Sequence, residues 1–200
     1  MNTDVFARRA QQADRDEVVA ILSSAFAKDP LWSGAMARDG GGTAHHQAFW
    51  RVFVDGAMRY PWTWLTEQGE ATSLWIPPGG TDMSPEQEAR LEAVARQELG
   101  PRSDLYIELV KRFADAHPHG EPHYYLTLLG THSDHRGHGI GMALLRHDLA
   151  IIDAEHVPAY LESSNPANDH RYAAAGFEPF GKIVPPTDAA VVTTMWRPAR

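Results

Sequence analysis

The chain has 200 residues, no cysteine, and 26 acidic against 18 basic side chains, which gives a formal net charge of −8. This length suits one domain with a substantial buried core, and the lack of cysteine excludes a disulfide scaffold, a thiolate zinc site and a cysteinyl intermediate. The acidic balance disfavours nucleic acid and anionic membrane surfaces and favours cationic small molecules. Without a long apolar stretch or a signal-peptide layout at the start, the sequence predicts a cytoplasmic protein that binds neither nucleic acid nor membrane.

The first half of the chain is predicted to contain four helices and a hairpin. Asp14 and Glu17 resemble a capping box before a helix that should stop near Asp29, since Pro30 disfavours a helical residue before it. Ser84-Pro85-Glu86-Gln87 predicts a second capped helix, which Gly100 ends. The other predicted elements are a strand at 5–10, helices at 46–58 and 103–116, and a hairpin of strands 62–66 and 71–76.

The second half alternates strands and helices. A strand at 124–131 precedes a glycine-rich turn, a helix from 139 to 155, a strand at 159–163 and a short helix that ends at Gly176. Two further β-rich runs follow at 177–184 and 190–196. This alternation predicts an α/β layered domain with at least one parallel strand pair.

The glycine-rich turn is Arg136-Gly137-His138-Gly139-Ile140-Gly141. Glycines let the backbone approach a ligand, and the free N–H groups of the following helix favour an anion, so we predict a pyrophosphate site. The turn lacks the lysine of a P-loop, and Leu144 stands where a dinucleotide fingerprint needs its third glycine. The alternative is a tight strand-to-helix turn that binds no ligand.

The spacing of Arg136, Gly139 and Gly141 after an apolar strand resembles the GNAT superfamily of acetyl-CoA-dependent N-acetyltransferases. The resemblance implies one domain over residues 1–200, with a mixed central sheet flanked by helices on both faces. Residues 1–120 would form mainly the acceptor side and residues 121–200 mainly the acetyl-CoA side. By the same resemblance, the cofactor-binding residues are Leu129, Gly130 and Thr131 on the pantetheine arm, and Arg136, Gly137, His138, Gly139, Ile140 and Gly141 on the pyrophosphate.

A second segment, residues 160–177, is similar to a signature of GNAT members close to puromycin N-acetyltransferase. The resemblance assigns Tyr172 as the general acid. It also places Asn168 at a position that contacts CoA, although an asparagine in this loop could equally cap a helix. A tyrosine suits the acid role because its ordinary pKa, about 10, exceeds that of a thiol, about 8.5. The oxyanion donor is expected to be a backbone N–H at Leu129 or a neighbouring residue.

Glu162 shares a strand face with Tyr160 by simple alternation, so its carboxylate could hold the substrate ammonium or relay its proton. The alternative is a solvent-facing strand residue. On the acceptor side we predict substrate contacts from Asp29, Trp32 and Trp75. The alternatives are helix-end capping for Asp29 and a place in the hydrophobic core for the tryptophans.

Two groups of histidines raise the question of a metal site: His132, His135 and His138, and His117, His119 and His123. The first group spans a turn whose glycines are better explained by phosphate, and no helical ligand spacing accompanies it, so we predict no metal.

The sequence thus predicts transfer of an acetyl group from acetyl-CoA to a small cationic amine, such as an antibiotic or related metabolite, by direct attack in a ternary complex. The protein would act as a monomer or homodimer. Two alternatives stay open: acetylation of a protein or peptide amine, and a GNAT-like module that binds acyl-CoA without turnover.

Overall fold

In the computed structural model, which describes residues 5–200, seven strands form one mixed sheet in the order β1-β2-β3-β4-β5-β7-β6. The strands are β1 (Ala7–Arg9), β2 (Thr63–Thr66), β3 (Ala71–Ile76), β4 (Tyr124–Thr131), β5 (Ala159–Ser163), β6 (Glu178–Ile183) and β7 (Val192–Arg197). β4 and β5 pair in parallel, and the other neighbours pair antiparallel. The predicted hairpin and parallel pair are both confirmed.

Helices cover both faces of the sheet, as predicted. They are α1 (Arg15–Phe26), α2 (Trp32–Ala35), α3 (His46–Ala57), α4 (Pro85–Leu99), α5 (Ser103–Ala116), α6 (Ile140–Ala154) and α7 (Asp169–Ala174). One hydrophobic core lies between the sheet and α1, α3, α4 and α5, and a second lies between the sheet and α6. Within residues 5–200, every helix is too short or too polar to cross a bilayer.

The two predicted helix starts had different outcomes. Ser84 caps α4 as predicted, since its hydroxyl accepts from the N–H of Gln87 at 3.3 Å and Gln87 Oε1 accepts from the N–H of Ser84 at 2.8 Å. The prediction of a capping box at Asp14 and Glu17 is wrong. The Asp14 carboxylate makes no cap on α1 and instead accepts from the Arg8 guanidinium at 2.6 and 2.8 Å and from the N–H of Gln11 at 2.7 Å.

A β-bulge in β4 decides which way this strand presents its residues. Leu74 of β3 lies opposite Leu128 and Trp75 lies opposite Leu126, so Thr127 is an extra residue on the β4 side. Leu126 therefore packs in the α6 core, whereas Leu128 packs in the core beneath α1. Simple alternation would have put both side chains on one face.

The parallel ladder between β4 and β5 ends at the pair Leu126 and Leu161, and the two strands have no paired residues beyond it. The N–H of His132 donates to Glu70 on the β3 side at 2.8 Å. Because alternate residues of a strand direct their N–H groups to opposite edges, Leu129 and Thr131 direct theirs to the open edge that faces β5. The gap between β4 and β5 is where the candidate site lies.

Candidate active site

The glycine-rich turn folds into a loop that ends at the N-terminus of α6. Gly137 and Gly139 have φ of +84° and +75°, in the left-handed region that favours glycine. Gly141 lies in the first turn of α6, where a Cβ would lie 2.5 Å from Thr131 Oγ1. The three glycines thus allow the loop, the helix and β4 to approach one another, with the free N–H groups of α6 at the same end.

A groove of about 310 Å³ runs along this loop. Three of its lining side chains are cationic at neutral pH, namely Lys28, Arg136 and Arg171, and its one carboxylate is that of Asp29. The Arg136 guanidinium donates to the backbone carbonyl of Ala25 at the end of α1, which ties the loop to that helix. The groove therefore combines a helix N-terminus with cationic side chains, an arrangement suited to a phosphate-bearing ligand.

Most of the residues predicted to bind a cofactor line this groove, but two do not. Leu129, Thr131, Arg136, Gly137, Gly139, Ile140, Gly141 and Asn168 all line it. Gly130 instead faces α1, where a Cβ would lie 3.0 Å from that of Ala25, so this glycine lets the helix pack closely on β4. His138 lines neither this groove nor the neighbouring cavity, and its Nδ1 lies 3.3 Å from the carbonyl oxygen of His135.

A larger cavity of about 570 Å³ lies on the other side of the β4–β5 gap. Among residues 5–200, the wall of this cavity contains five carboxylates and no lysine or arginine. The carboxylates belong to Asp29, Asp82, Glu88, Glu121 and Glu162. Aromatic rings form much of the remaining wall, including those of Phe26, Trp32, Phe53, Phe113, Tyr125 and Tyr172. The cavity therefore suits a ligand with a cationic group and an apolar body.

The groove and the cavity meet at a small set of shared residues: Phe26, Asp29, Leu129, Asn165, Asn168 and Tyr172. Tyr172 lies on α7, and burial together with the charges of Asp29 and Asp169 raises its pKa to about 12. Its hydroxyl therefore keeps its proton at neutral pH. Leu129, with its open N–H, and Tyr172, with its protonated hydroxyl, both line the junction between the groove and the cavity.

Glu162 is half-buried and lines the acidic cavity, so it is not a fully exposed strand residue. Its Oε1 is buried, as is the hydroxyl of Tyr160 beside it. Burial raises the pKa of Glu162 to about 8, although the nearby hydroxyls of Tyr125 and Tyr160 act to lower it. A carboxyl with this pKa can gain and lose a proton near neutral pH, as a proton acceptor must.

The three predicted acceptor contacts occupy different environments. Trp32 lines the acidic cavity, with its ring centroid 5.6 Å from that of Phe113. Asp29 lines both spaces and also caps α2, since its Oδ1 accepts from the N–H groups of Leu31 at 3.0 Å and Trp32 at 3.1 Å. Both roles considered for Asp29 are therefore compatible with its position.

Trp75 lies away from both spaces. It is 0% exposed in the core beneath α6, and its indole N–H donates to Oδ2 of Asp148 at 2.9 Å. The same oxygen accepts from the hydroxyl of Ser73 at 2.5 Å, and Oδ1 lies 2.9 Å from Nδ1 of His147. Trp75 therefore helps to satisfy a buried carboxylate and does not reach a ligand in either space.

The two histidine groups lie in different places, and neither forms a metal-binding cluster. In the chain from residue 5 onward, no group of three or more His, Asp or Glu side chains could hold a metal ion. His117, His119 and His123 line the acidic cavity, and burial with neighbouring histidine charges lowers the pKa of His117 to about 4. His135 lines the groove.

Sequence reasoning missed Asp82, Tyr125 and Asn165. Asp82 lies in the loop after β3, Tyr125 lies on β4, and Asn165 lines both spaces. Asn165 had a local signal, since it precedes Pro166 and its side chain accepts from the N–H of Ala167 at 3.1 Å. Asp82 and Tyr125 had no local signal in the sequence, because only the pairing of the strands brings them near Glu162.

Comparison with known proteins agrees with this geometry. Residues 102–177 match the model of the acetyltransferase (GNAT) family. A Corynebacterium glutamicum structure, described as histone acetyltransferase HPA2 and related acetyltransferase, is 24% identical, with a TM-score of 0.68 over 99% of this chain and 98% of that one.

Two insect enzymes share the fold at lower identity. Arylalkylamine N-acetyltransferase 2 from Aedes aegypti is 12% identical, with a TM-score of 0.67 over 99% of this chain and all 100% of that one. The Drosophila melanogaster polyamine N-acetyltransferase is 14% identical, with a TM-score of 0.62 over 98% and 100% of the two chains. The segment that contains the turn and Tyr172 is therefore similar to the GNAT acetyltransferase family, and the whole chain shares the fold of these acetyltransferases.

Proposed function

We propose that the protein transfers the acetyl group of acetyl-CoA to the amine of a small cationic molecule, by direct attack in a ternary complex. The observation that carries this proposal is the meeting of a cationic groove and an acidic cavity at Tyr172. The groove suits the anionic cofactor and the cavity suits the cationic acceptor, so the two substrates would meet in the β4–β5 gap. The absence of cysteine closes a cysteinyl route and favours direct transfer.

The groove residues fit acetyl-CoA, which would supply the acetyl group as a thioester. The N–H groups at the start of α6, with Arg136 and Lys28, would hold the pyrophosphate. The open N–H groups of Leu129 and Thr131 would bind the amide-containing arm. Asn168, at the junction, is suited to the part of the arm nearest the thioester.

The acceptor arrives as an ammonium ion and must lose two protons when its nitrogen forms the new bond to the acetyl carbon. Glu162 would take one of these protons and release it to solvent. The N–H of Leu129 would stabilise the charge that develops on the carbonyl oxygen. As the carbon–sulfur bond breaks, Tyr172 would protonate the sulfur and recover a proton from the nitrogen, so one proton is released per turnover.

The size and lining of the cavity support a small acceptor. Its wall includes the loops at 77–83 and 117–123 as well as the sheet, and its aromatic side chains suit an apolar body that bears an amine. The insect relatives are named for arylalkylamine and polyamine substrates, which have this chemistry. An antibiotic or related metabolite with a free amino group, including an aminonucleoside of the puromycin type, belongs to the same class.

Acetylation of a protein or peptide amine is the second candidate. It is favoured by the Corynebacterium structure, described as a histone acetyltransferase, and by a 13% identical structure described as the NatC complex bound to Gag peptide and CoA, with a TM-score of 0.57. In this case the acidic cavity would receive a lysine side chain or a chain N-terminus.

The test is thiol release from acetyl-CoA across a panel of arylalkylamines, polyamines, aminonucleosides, aminoglycosides, amino acids and peptides. We expect turnover with small amines, and a fall of about 10²-fold or more in kcat for Tyr172→Phe with CoA affinity retained. Turnover of peptides alone would favour the second candidate. CoA binding without turnover of any amine would indicate a binding module, and failure to bind CoA would contradict every form of the proposal.

A further inference from the structure

The acidic cavity contains a second enclosed carboxylate that the acetyl-transfer step does not use. Asp82 lies in the loop that follows β3, where its Oδ1 accepts from the N–H of Met83 at 2.9 Å. Its backbone is packed against α3 so closely that a Cβ on Gly56 would collide with the Asp82 carbonyl. The carboxylate is therefore held in place by the fold, and it lines the cavity.

Asp82 follows β3 and Glu162 lies on β5, and these are the two strands that pair with the strand of Tyr125. Within the sheet, Tyr125 is the partner of Ile76, the last residue of β3 before the Asp82 loop, and of Tyr160, two residues before Glu162. Burial raises the pKa of the Tyr125 hydroxyl, and the charges of Glu162 and Asp82 raise it further. The charge of Asp82 also acts on Glu162. Both carboxylates line the cavity, on segments that the sheet brings to Tyr125.

The protein supplies too little positive charge for this pair. Among the described residues, neither Asp82 nor Glu162 forms an ion pair with a lysine or arginine. Arg59 is the basic residue whose charge acts on Asp82, but its guanidinium donates to the carbonyls of Gly56 and Thr81 instead. Glu162 Oε1 is a buried atom with tyrosine hydroxyls nearby but no cationic side chain paired with it among the described residues.

A monoamine would compensate only one of these carboxylates. The hydroxyls of Tyr125 and Tyr160 lie near Glu162, and the N–H of Met83 donates to Asp82, but none of these donors carries a positive charge. Two negative charges in the same partly buried space raise the free energy of the protein unless a cation lies close to them. An acceptor with two ammonium groups would place one beside Glu162, where it reacts, and the other beside Asp82, while the aromatic wall contacts the linker between them.

We propose that Asp82 is a specificity-determining residue that selects acceptors with a second cationic group, so that the preferred substrates are diamines with an apolar linker. This inference rests on the proposed function. The reaction would consume one of the two ammonium groups, and the singly acetylated product would keep the other beside Asp82.

The test compares diamines with monoamines of the same length: 1,5-diaminopentane with pentylamine, and 1,4-bis(aminomethyl)benzene with benzylamine. For the wild-type protein we expect kcat/KM per amino group to be at least about tenfold higher for each diamine, mainly through a lower KM. Calorimetric binding of the same four amines to the wild-type protein gives a second measurement that needs no variant.

The decisive variant is Asp82→Asn, which keeps the acceptor for the N–H of Met83 and removes the charge. We expect the diamine-to-monoamine ratio to fall to about one, through a rise in KM for the diamine. Glu67→Gln removes one negative charge at an exposed position outside both spaces and should leave the ratio unchanged. The unfolding midpoint of each variant checks that it is folded.

Equal kcat/KM values for diamines and monoamines in the wild-type protein would overturn this inference and leave the proposed acetyl transfer intact. A diamine preference that survives Asp82→Asn in a folded variant would also overturn it. Failure to acetylate either kind of amine, with CoA still bound, would instead contradict the proposed function.

Discussion

The hydroxyl of Ser164 donates a hydrogen bond of 2.9 Å to Oδ2 of Asp29, joining segments 135 residues apart in the chain. The other oxygen of Asp29 accepts from two backbone N–H groups at the start of α2. One 8% exposed carboxylate thus connects the end of α1, the start of α2 and the end of β5, at the place where the groove meets the acidic cavity.

Asp29→Ala should lower the free energy of unfolding by about 2–3 kcal/mol, because it leaves buried N–H groups without an acceptor. Ser164→Ala removes only one of the three hydrogen bonds and should cost about 1 kcal/mol. Urea unfolding of both variants measures the difference. Equal effects from the two variants would show that the cap on α2 contributes nothing.

The pKa of Glu162, raised to about 8, predicts how activity depends on pH. The carboxylate is the form that accepts a proton, so kcat/KM should rise with pH and approach a plateau above about 8. The Tyr172 hydroxyl, with a pKa of about 12, should remain protonated across this range. Glu162→Gln should lower kcat by about 10²-fold and abolish the rise in kcat/KM with pH that the titration of Glu162 causes.

The control for this profile is Tyr172→Phe, which should lower kcat yet keep the rise near pH 8, because Glu162 is still present. An acceptor amine with a low pKa separates the titration of the enzyme from that of the substrate. A rise that persists unchanged in Glu162→Gln with such an acceptor would show that another group takes the proton.

Gly141 should be essential for the shape of the groove. Gly141→Ala would place a methyl group 2.5 Å from Thr131 Oγ1, so that side chain must move within the groove. We expect CoA affinity to fall by about tenfold or more, measured by calorimetry. Gly34→Ala is the matched control, since this helical glycine has nothing within 4 Å of the added Cβ. If the collision is the cause, Thr131→Ala should restore affinity in the double variant.

Buried His46 should make the protein sensitive to acid. Burial, with the charge of His45, lowers its pKa to about 4, below the value of about 6.5 in an unfolded chain. Between these values the unfolded chain binds a proton that the folded protein does not, so stability is fully present above about pH 6.5 and falls as the pH decreases toward 4. The loss should approach about 3 kcal/mol.

Urea unfolding at a series of pH values measures this loss. His46→Gln should flatten the dependence on pH, whereas His170→Gln, at an exposed position, should leave it unchanged. His117, which is half-buried and has a pKa lowered to about 4 by burial and neighbouring histidine charges, would add to the effect in the same direction. A pH dependence that is unaltered in His46→Gln would assign the loss to other groups.

Local patterns in the sequence were sufficient for the elements that depend on neighbouring residues. The Ser84 cap and the Glu67–Glu70 turn between β2 and β3 were predictable because their partners lie a few residues away. The Asp14 cap was predicted wrongly because Arg8 competes for the carboxylate from another element. Trp75 was predicted as a substrate contact, whereas Asp148 holds its indole N–H from across the second core.

The sequence by itself determined the α/β class and the turn that precedes α6, since these depend on local spacing and composition. A resemblance to a known family suggested Tyr172, and strand alternation suggested Glu162. Only the tertiary structure decided which residues share a cavity. The bulge at Thr127 directs the N–H of Leu129 into the β4–β5 gap, and the pairing of Tyr125 with Ile76 and Tyr160 brings Asp82 near Glu162. The net charge of −8 could not show this separation of a cationic groove from an acidic cavity, because charge is summed along the chain whereas electrostatic interaction depends on distance in the folded protein.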